Sequence, residues 1–381
     1  LDFLVENGLL VDADFSEDEF FIDRLAQVKH SKVRVNHLRL VLTEKCNYNC
    51  TYCFESPKKL EGELDWDSLR KALELLIRHN KDAKDKGIHI HFFGGEPLLK
   101  FDIIQRSVDY VDSNKGDLIP KYHITTNGSL IDDDKVGYFK KHNFRVGVSL
   151  DGPREVNDMN RRFSDGRSTF EVSLKGFNLL KSNEVENFIL ITPSEATLNN
   201  LDKICRWAVL ELKPDSLTVN RPQYDYGWGV NGKLFSEKMK SVLLFCEKEG
   251  IKLNSPASQV VSALKYQSTA LRTCASDFDT ATLVVTADGR LGYCTIYFGR
   301  DIFDETLRSR KDLDSESLQN WFSRSVLDNE SCRDCIAVFI CGGICPMQSM
   351  KRHANCGQLV NDPEKCSFFK DFTEWAVRTL V

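Results

Sequence analysis

The chain has 381 residues, 13 of them cysteine, with 41% hydrophobic and 28% charged residues and a net charge of −5. That is ordinary globular composition, with core enough for two or three domains or for one barrel. It excludes a strongly basic nucleic-acid surface, the ~18-residue apolar run of a membrane span and the cysteine density of a small disulfide scaffold. Leu1-Asp2-Phe3-Leu4 has no basic region leading into an apolar one, so no export signal is read there. A cytoplasmic protein is expected, with neither nucleic acid nor membrane as partner. In that reducing compartment clustered cysteines are metal ligands before they are disulfides.

Residues 1–36 carry eight Asp or Glu against four Lys or Arg and are too few for their own core. They read as an acidic N-terminal extension packed on the main domain. From residue 37 short apolar runs recur at 37–43, 88–93, 121–126, 145–150, 188–192 and 216–220. Helical patterns fill the gaps. Leu69, Ala72, Leu73 and Leu76 mark one apolar helix face, and Asp65 or Asp67 is placed to cap that helix. Helices are also predicted over 101–112, 133–142, 169–181 and 199–212. Six strands alternating with helices predict right-handed βα units on a parallel sheet, with the site at the C-terminal strand ends. The expected fold is α/β: a partial (β/α)6 TIM-like barrel over 37–220, followed by a smaller cysteine-rich domain with short strands.

Residues 221–264 read as a linker, with a Gly-, Tyr- and Trp-rich loop to 233 and a helix over 235–249. Cys246 lies on the apolar face of that helix, and Cys205 follows Ile204, so both are predicted to be core residues. The cysteine-rich domain is expected over 265–381. Within it 283–286 and 291–295 predict a hairpin turning at Asp288-Gly289.

The remaining cysteines fall into two groups. Cys46-x3-Cys50-x2-Cys53 directly follows the first predicted strand. A loop can fold three such thiolates onto one face of an iron–sulfur cube, leaving one iron without a protein ligand, as a catalytic site requires. A zinc site with a distant fourth ligand is the alternative. The second group is Cys274, Cys294, Cys332-x2-Cys335-x5-Cys341-x3-Cys345, Cys356 and Cys366. Spacing this dense indicates metal, either iron–sulfur or zinc ribbons.

The first group, with Tyr52 before its last cysteine, resembles the signature of the radical S-adenosylmethionine (SAM) superfamily. Phe93-Gly94-Gly95-Glu96-Pro97 is similar to that family's GGEP motif, Thr126-Asn127-Gly128 follows the third strand, and Ser149-Leu150-Asp151-Gly152-Pro153 continues to Asp158 and Arg161. Asn157 stands where a His is usual. The C-terminal cysteines, with Gly342-Gly343 between Cys341 and Cys345, resemble the SPASM extension.

The resemblance implies SAM and three [4Fe–4S] clusters. Cys46, Cys50 and Cys53 would hold the SAM-binding cluster. Cys274, Cys294 and Cys345 would hold the first auxiliary cluster, joined by Cys356 or left with an open iron. Cys332, Cys335, Cys341 and Cys366 would hold the second. It further implies that Tyr52, Gly94, Gly95, Glu96, Pro97, Thr126, Asn127, Ser149 and Arg161 bind SAM, with Glu96 meeting its ammonium, and that Asp151 faces the substrate as the catalytic candidate.

The implied activity is reductive cleavage of SAM and hydrogen abstraction from a ribosomally made precursor peptide, giving a thioether, C–C or C–O crosslink. Anaerobic sulfatase maturation is the alternative, and a non-enzymatic zinc scaffold is the alternative of another class. Thr295 after Cys294 departs from the Asp of sulfatase maturases and favours the peptide reading. The partners implied are the peptide and a reductant such as flavodoxin or ferredoxin; for leader recognition a separate leader-recognition protein, a truncated chain and an unusual docking mode stay open.

Overall fold

The computed structural model describes residues 16–30, 33–53, 61–221, 223–224, 227–266, 268–271, 280–292, 313, 319, 323–343 and 362–380. In chain order the first half runs α1 Glu17–His30, β1 Arg34–Val41, α2 Trp66–Asn80, β2 Gly87–Phe93, α3 Phe101–Asn114, β3 Ile119–Thr126, α4 Asp133–Lys141, β4 Arg145–Ser149, α5 Arg154–Asn160, α6 Phe170–Ser182 and β5 Asn187–Ile191. It continues with α7 Leu201–Trp207, β6 Ser216–Val219, β7 Gln223–Tyr224, β8 Gly227–Trp228, α8 Gly232–Glu249, β9 Lys252–Asn254, α9 Pro256–Tyr266, β10 Thr280–Val285, β11 Leu291–Gly292 and α10 Pro363–Leu380.

The six predicted strands are present and stand side by side in parallel, in the order β1 to β6. Their composition explains the two-sided burial. In β2, Ile88, Ile90 and Phe92 are completely buried and share a core with Leu69, Leu73 and Leu76 of α2. Each large apolar side chain buried this way contributes about 1.5–3 kcal/mol. The alternate residues His89, His91 and Phe93 point to the other, concave face. Asp65 is the cap of α2, its Oδ1 accepting from the Ser68 amide at 3.0 Å.

The sheet is larger than the expected six strands. β9 adds in parallel to β6, β10 adds in parallel to β1, and β11 pairs antiparallel with β10, making nine strands in an open sheet. β9 is three residues long, too short for a periodicity signal. β10 and β11 form the predicted hairpin. Yet β10 pairs in parallel with β1 from Arg34 with Thr280 to Leu40 with Val285, shifting register once between Val35 and His37, so this hairpin extends the main sheet beyond β1.

Two further expectations are corrected. The loop read over 221–233 contains the β7–β8 hairpin, and α8 starts at Gly232, capped by Asn231 Oδ1 on the Leu234 amide at 2.9 Å. The single helix read over 199–212 is α7 continued by a π turn, Ala208–Leu212. α8 packs on α10: Phe235 and Phe368 rings lie 5.2 Å apart, and Lys240 and Ser236 both reach Asp371. A Cβ on Gly232 would sit 1.8 Å from the Glu364 carbonyl oxygen, so only glycine fits this crossing. Cys205 and Cys246 are buried in the core, as predicted. Among the described residues no helix is long and apolar enough to cross a membrane.

Candidate functional site

The loop leaving β1 carries Cys46, Cys50 and Cys53, all half-buried, and all three line a cavity of about 1040 Å³ at the C-terminal strand ends. Neighbouring loops hold this one on both sides. The Gly95 and Glu96 amides donate to the Thr43 and Lys45 carbonyls at 2.8 and 2.9 Å. From the other side the Asn49 and Thr51 amides donate to the Arg162 and Asn160 carbonyls at 2.8 and 2.9 Å. The Tyr48 ring meets Phe163 edge-on at 4.9 Å, and its hydroxyl lies 2.9 Å from Ser173 Oγ.

Gly94 and Gly95 line the cavity, yet their small size answers first to the cysteine loop. A Cβ on Gly94 would lie 2.4 Å from the Thr43 carbonyl oxygen, and one on Gly95 would lie 2.4 Å from that of Lys45. Gly94 also has φ +149°, outside the range of ordinary L residues.

Glu96 differs from expectation. Its side chain is completely buried and is absent from the cavity lining. Oε1 accepts from Thr126 Oγ1 at 2.7 Å and the Leu98 amide at 3.0 Å, and Oε2 accepts from the Asn127 amide at 2.8 Å. It ties the loop after β2 to the loop after β3. Burial pushes its pKa up to about 7 against the pull of those three hydrogen bonds. Pro97 opens the short 3-10 turn Pro97–Lys100 and likewise stays out of the cavity. Thr126, Asn127 and Ser149 do line it. Asn127 Nδ2 lies 3.9 Å from Cys46 Sγ.

Asp151 also differs. Expected to face a substrate, it is 3% exposed and does not line the cavity. Its carboxylate accepts from Arg161 Nε at 2.8 Å, from the Thr192 amide at 2.9 Å and from the Tyr52 hydroxyl. Arg161 and Tyr52 do reach the cavity wall. Asn157, the departure from the family's His, is fully employed inside: Oδ1 accepts from the Asp151 amide, and Nδ2 donates to Asp158 and Thr169. Asp151 is thus held inside the fold, directly behind the cavity wall that Arg161 and Tyr52 reach.

The sequence reading does not reach the rest of the cavity. Arg39, His91, Thr125 and Arg145 line its barrel side, and Arg221, Asn254 and Gln259 line another wall. Arg39 Nε lies 3.3 Å from His91 Nδ1, and His91 Nε2 lies 2.9 Å from Thr125 Oγ1. His37, His89 and His123 stack beside them. Burial first, then neighbouring cations and imidazoles, lower His37 to about 3 and His123 to about 4, so these rings are neutral. The available signal was the alternation His37-x-Arg39, His89-x-His91 and His123-x-Thr125 within otherwise apolar strands, which aims every second residue inward.

Of the second cysteine group, Cys332, Cys335, Cys341 and Cys366 surround one cavity of about 50 Å³, closed by Ala337, Val338 and Phe369. Cys274, Cys294, Cys345 and Cys356 lie outside the described residues. The N-terminal helix α1 packs nearby, Phe20 meeting Phe339 edge-on at 5.5 Å.

Both donor sets fit iron–sulfur ligation. Among the described residues no three His, Cys, Asp or Glu side chains converge closely enough for a single metal ion. A cube spreads its ligand sulfurs wider than one ion does. Burial holds Cys46 up to about 12 and Cys50 up to about 11, so these thiols ionise only with a cation such as cluster iron beside them. The first cavity is at the upper end of the usual ~300–1,000 Å³ for cofactor pockets, with room for a cofactor and part of a second molecule.

Residues 40–208 match the radical SAM superfamily. Over 355 residues the chain is 24% identical to a cysteine-type anaerobic sulfatase-maturating enzyme of Clostridium novyi, covering 89% of this chain and 94% of that protein. Over 180 residues it is 33% identical to the radical SAM cyclopropyl synthase TigE of Paramaledivibacter caminithermalis, a match spanning 41% of this chain and only 36% of TigE. The solved structure of anSMEcpe with bound AdoMet and a Kp18Cys peptide superposes with a TM-score of 0.76 at 20% identity, covering 90% of this chain and 97% of that one, which establishes the shared fold. The segment similar to the radical SAM superfamily, residues 40–208, bears the three-cysteine loop and much of the cavity wall.

Proposed function

We propose that the protein is a radical SAM maturase of a peptide, introducing an oxidative crosslink into a ribosomally made precursor. The observation that carries the reading is the open cavity: three cysteines on one loop face a space larger than a cofactor alone needs. When bound, the cluster and SAM would supply radical hydrogen-abstraction chemistry. This chain's residues do the positioning. Cys46, Cys50 and Cys53 would hold the cluster. Tyr52, Gly94, Gly95, Thr126, Asn127, Ser149 and Arg161 form the surrounding wall against which SAM would lie. Arg39, His91 and Arg145 give the deeper wall its polar, cationic character, suited to fixing a polar substrate segment. Shielding by these walls keeps water from a reactive intermediate.

The C-terminal cysteines would hold two auxiliary clusters, which would supply electron-transfer capacity for an oxidation. A flavodoxin- or ferredoxin-like reductant, a separate leader-recognition protein and a cytoplasmic location complete the reading. Sulfatase maturation is the second reading, favoured by the Clostridium novyi relative, which aligns over nearly its whole length.

Anaerobic reconstitution followed by incubation with SAM and dithionite tests the reading, first without peptide and then with two peptides. A precursor peptide encoded beside this chain should lose two hydrogen atoms by mass spectrometry. A cysteine peptide of sulfatase type should remain unchanged. Conversion of the sulfatase peptide alone would replace the crosslinking reading with the second one. A colourless, zinc-loaded protein that forms no 5′-deoxyadenosine would remove both.

A further inference from the structure

The Arg161–Asp151 pair lies directly behind the first cysteine group. The Arg161 side chain is 8% exposed and that of Asp151 is 2% exposed, so both charges are enclosed. Arg161 Nε and Nη2 hold the two carboxylate oxygens at 2.8 and 3.4 Å. The remaining nitrogen, Nη1, lies 3.9 Å from Cys50 Sγ, within sulfur hydrogen-bond reach. The guanidinium also stands 5.3 Å over the Tyr52 ring, whose hydroxyl donates to Asp151. With the Thr192 amide on the same carboxylate, the pair has one arrangement and little freedom.

We propose that this pair sets the reduction potential of the cluster held by Cys46, Cys50 and Cys53: Arg161 raises it by donating to the Cys50 sulfur, and Asp151 moderates that effect. The inference rests on the cluster assignment above. Reduction adds negative charge to a cluster, and both a hydrogen bond to a ligand sulfur and a buried positive charge favour the reduced form. Low solvent access keeps the guanidinium's field unscreened. The buried carboxylate, on the far side of the guanidinium from Cys50, partly cancels it. The two charges therefore act with opposite sign on one cluster. A purely structural role for the pair gives no such opposition, because breaking either partner would loosen the same loop.

The experiment is an EPR-monitored redox titration of the reconstituted full-length protein without SAM, so that a role of Arg161 in binding SAM does not enter. The relevant signal is first identified as the one that changes when SAM is added to wild-type protein. Iron content is checked in every variant. Arg161→Gln should lower the fraction reduced at a fixed potential about tenfold, a shift of about 59 mV to more negative potential for one electron. Asp151→Asn should shift the midpoint the other way, and Arg161→Lys, which keeps the charge, should fall between wild type and Arg161→Gln. Should Asp151→Asn fail to fold, the Arg161→Gln and Arg161→Lys pair still decides, since only a charge effect orders them this way. Midpoints that stay put, or that move in the same direction in Arg161→Gln and Asp151→Asn, would overturn the proposal with the cluster assignment intact. A fully iron-loaded wild type with no SAM-responsive signal would overturn the cluster assignment, and the proposal with it.

Discussion

The two cysteine groups use the same ligand atom in opposite surroundings. Cys46, Cys50 and Cys53 sit on a loop, face about 1040 Å³ of open cavity and have hydrogen-bond donors behind them. Cys332, Cys335, Cys341 and Cys366 close around about 50 Å³, packed by Ala337, Val338 and Phe369. The first arrangement leaves a face for a ligand to approach. The second encloses a far smaller space, with no comparable room for a second molecule. Access, more than ligand identity, separates a site of chemistry from a site that stores or relays electrons.

The sharpest way to break this comparison is to empty one group at a time. Replacing Cys46, Cys50 and Cys53 together by Ala should abolish 5′-deoxyadenosine formation while the C-terminal group keeps its iron. Chromatography of the reaction and metal analysis of the variant check this. Retained cleavage of SAM would assign the chemistry to the wrong group.

Next in size is Gly95→Ala. Its Cβ would come within 2.4 Å of the Lys45 carbonyl oxygen and 2.7 Å of that of Glu44, and both are backbone atoms with little room to yield. The cysteine loop must shift, so SAM cleavage should fall at least tenfold, with a stability loss of about 1–3 kcal/mol from overpacking. Turnover and thermal unfolding measured together separate the two effects. Gly137→Ala, where a Cβ meets nothing within 4 Å and φ is not positive, is the control without overpacking.

Glu96 gives a pH signature. Its pKa in the fold is raised to about 7 from 4.5, chiefly by burial. Between those values the native state binds more protons than the unfolded chain. This contribution to stability is therefore present at low pH and is lost as pH rises through the window. The loss is bounded at roughly 3 kcal/mol, at about 1.4 kcal/mol per unit. Glu96→Gln should flatten the slope of denaturation midpoint against pH between about 4.5 and 7. An unchanged slope would show that the three hydrogen bonds keep the carboxylate ionised throughout.

The smallest effect belongs to a residue outside both groups. Asp65→Ala removes the cap of α2 and should cost about 1 kcal/mol without changing SAM cleavage. A large loss of activity there would mean that barrel stability, and not access, limits the site.

Much of this is legible in the residues. The six central strands and the buried Cys205 and Cys246 follow from period and burial preference, while the choice of Asp65 over Asp67 as the cap is seen only in the structure. The Cys46–Cys53 spacing puts three cysteines on the loop that follows β1, and all three line the cavity. Side-chain direction is harder to read. Glu96 and Asp151 occupy motif positions that name a residue type, yet both turn inward to hold neighbouring loops, because each finds several backbone or side-chain donors there. β10 reads as part of a separate module over 265–381, since a parallel pairing across about 245 residues leaves no local trace. The inward histidines and arginines look like polar interruptions of apolar strands until the sheet curves them into one cavity.

The most direct test of the open-against-closed distinction is the EPR spectrum of the reduced, fully iron-loaded protein before and after addition of SAM. The signal of the cluster on Cys46, Cys50 and Cys53 should change, and the signals of the C-terminal group should not. A spectrum indifferent to SAM, or a SAM response that survives loss of those three cysteines, would contradict the account.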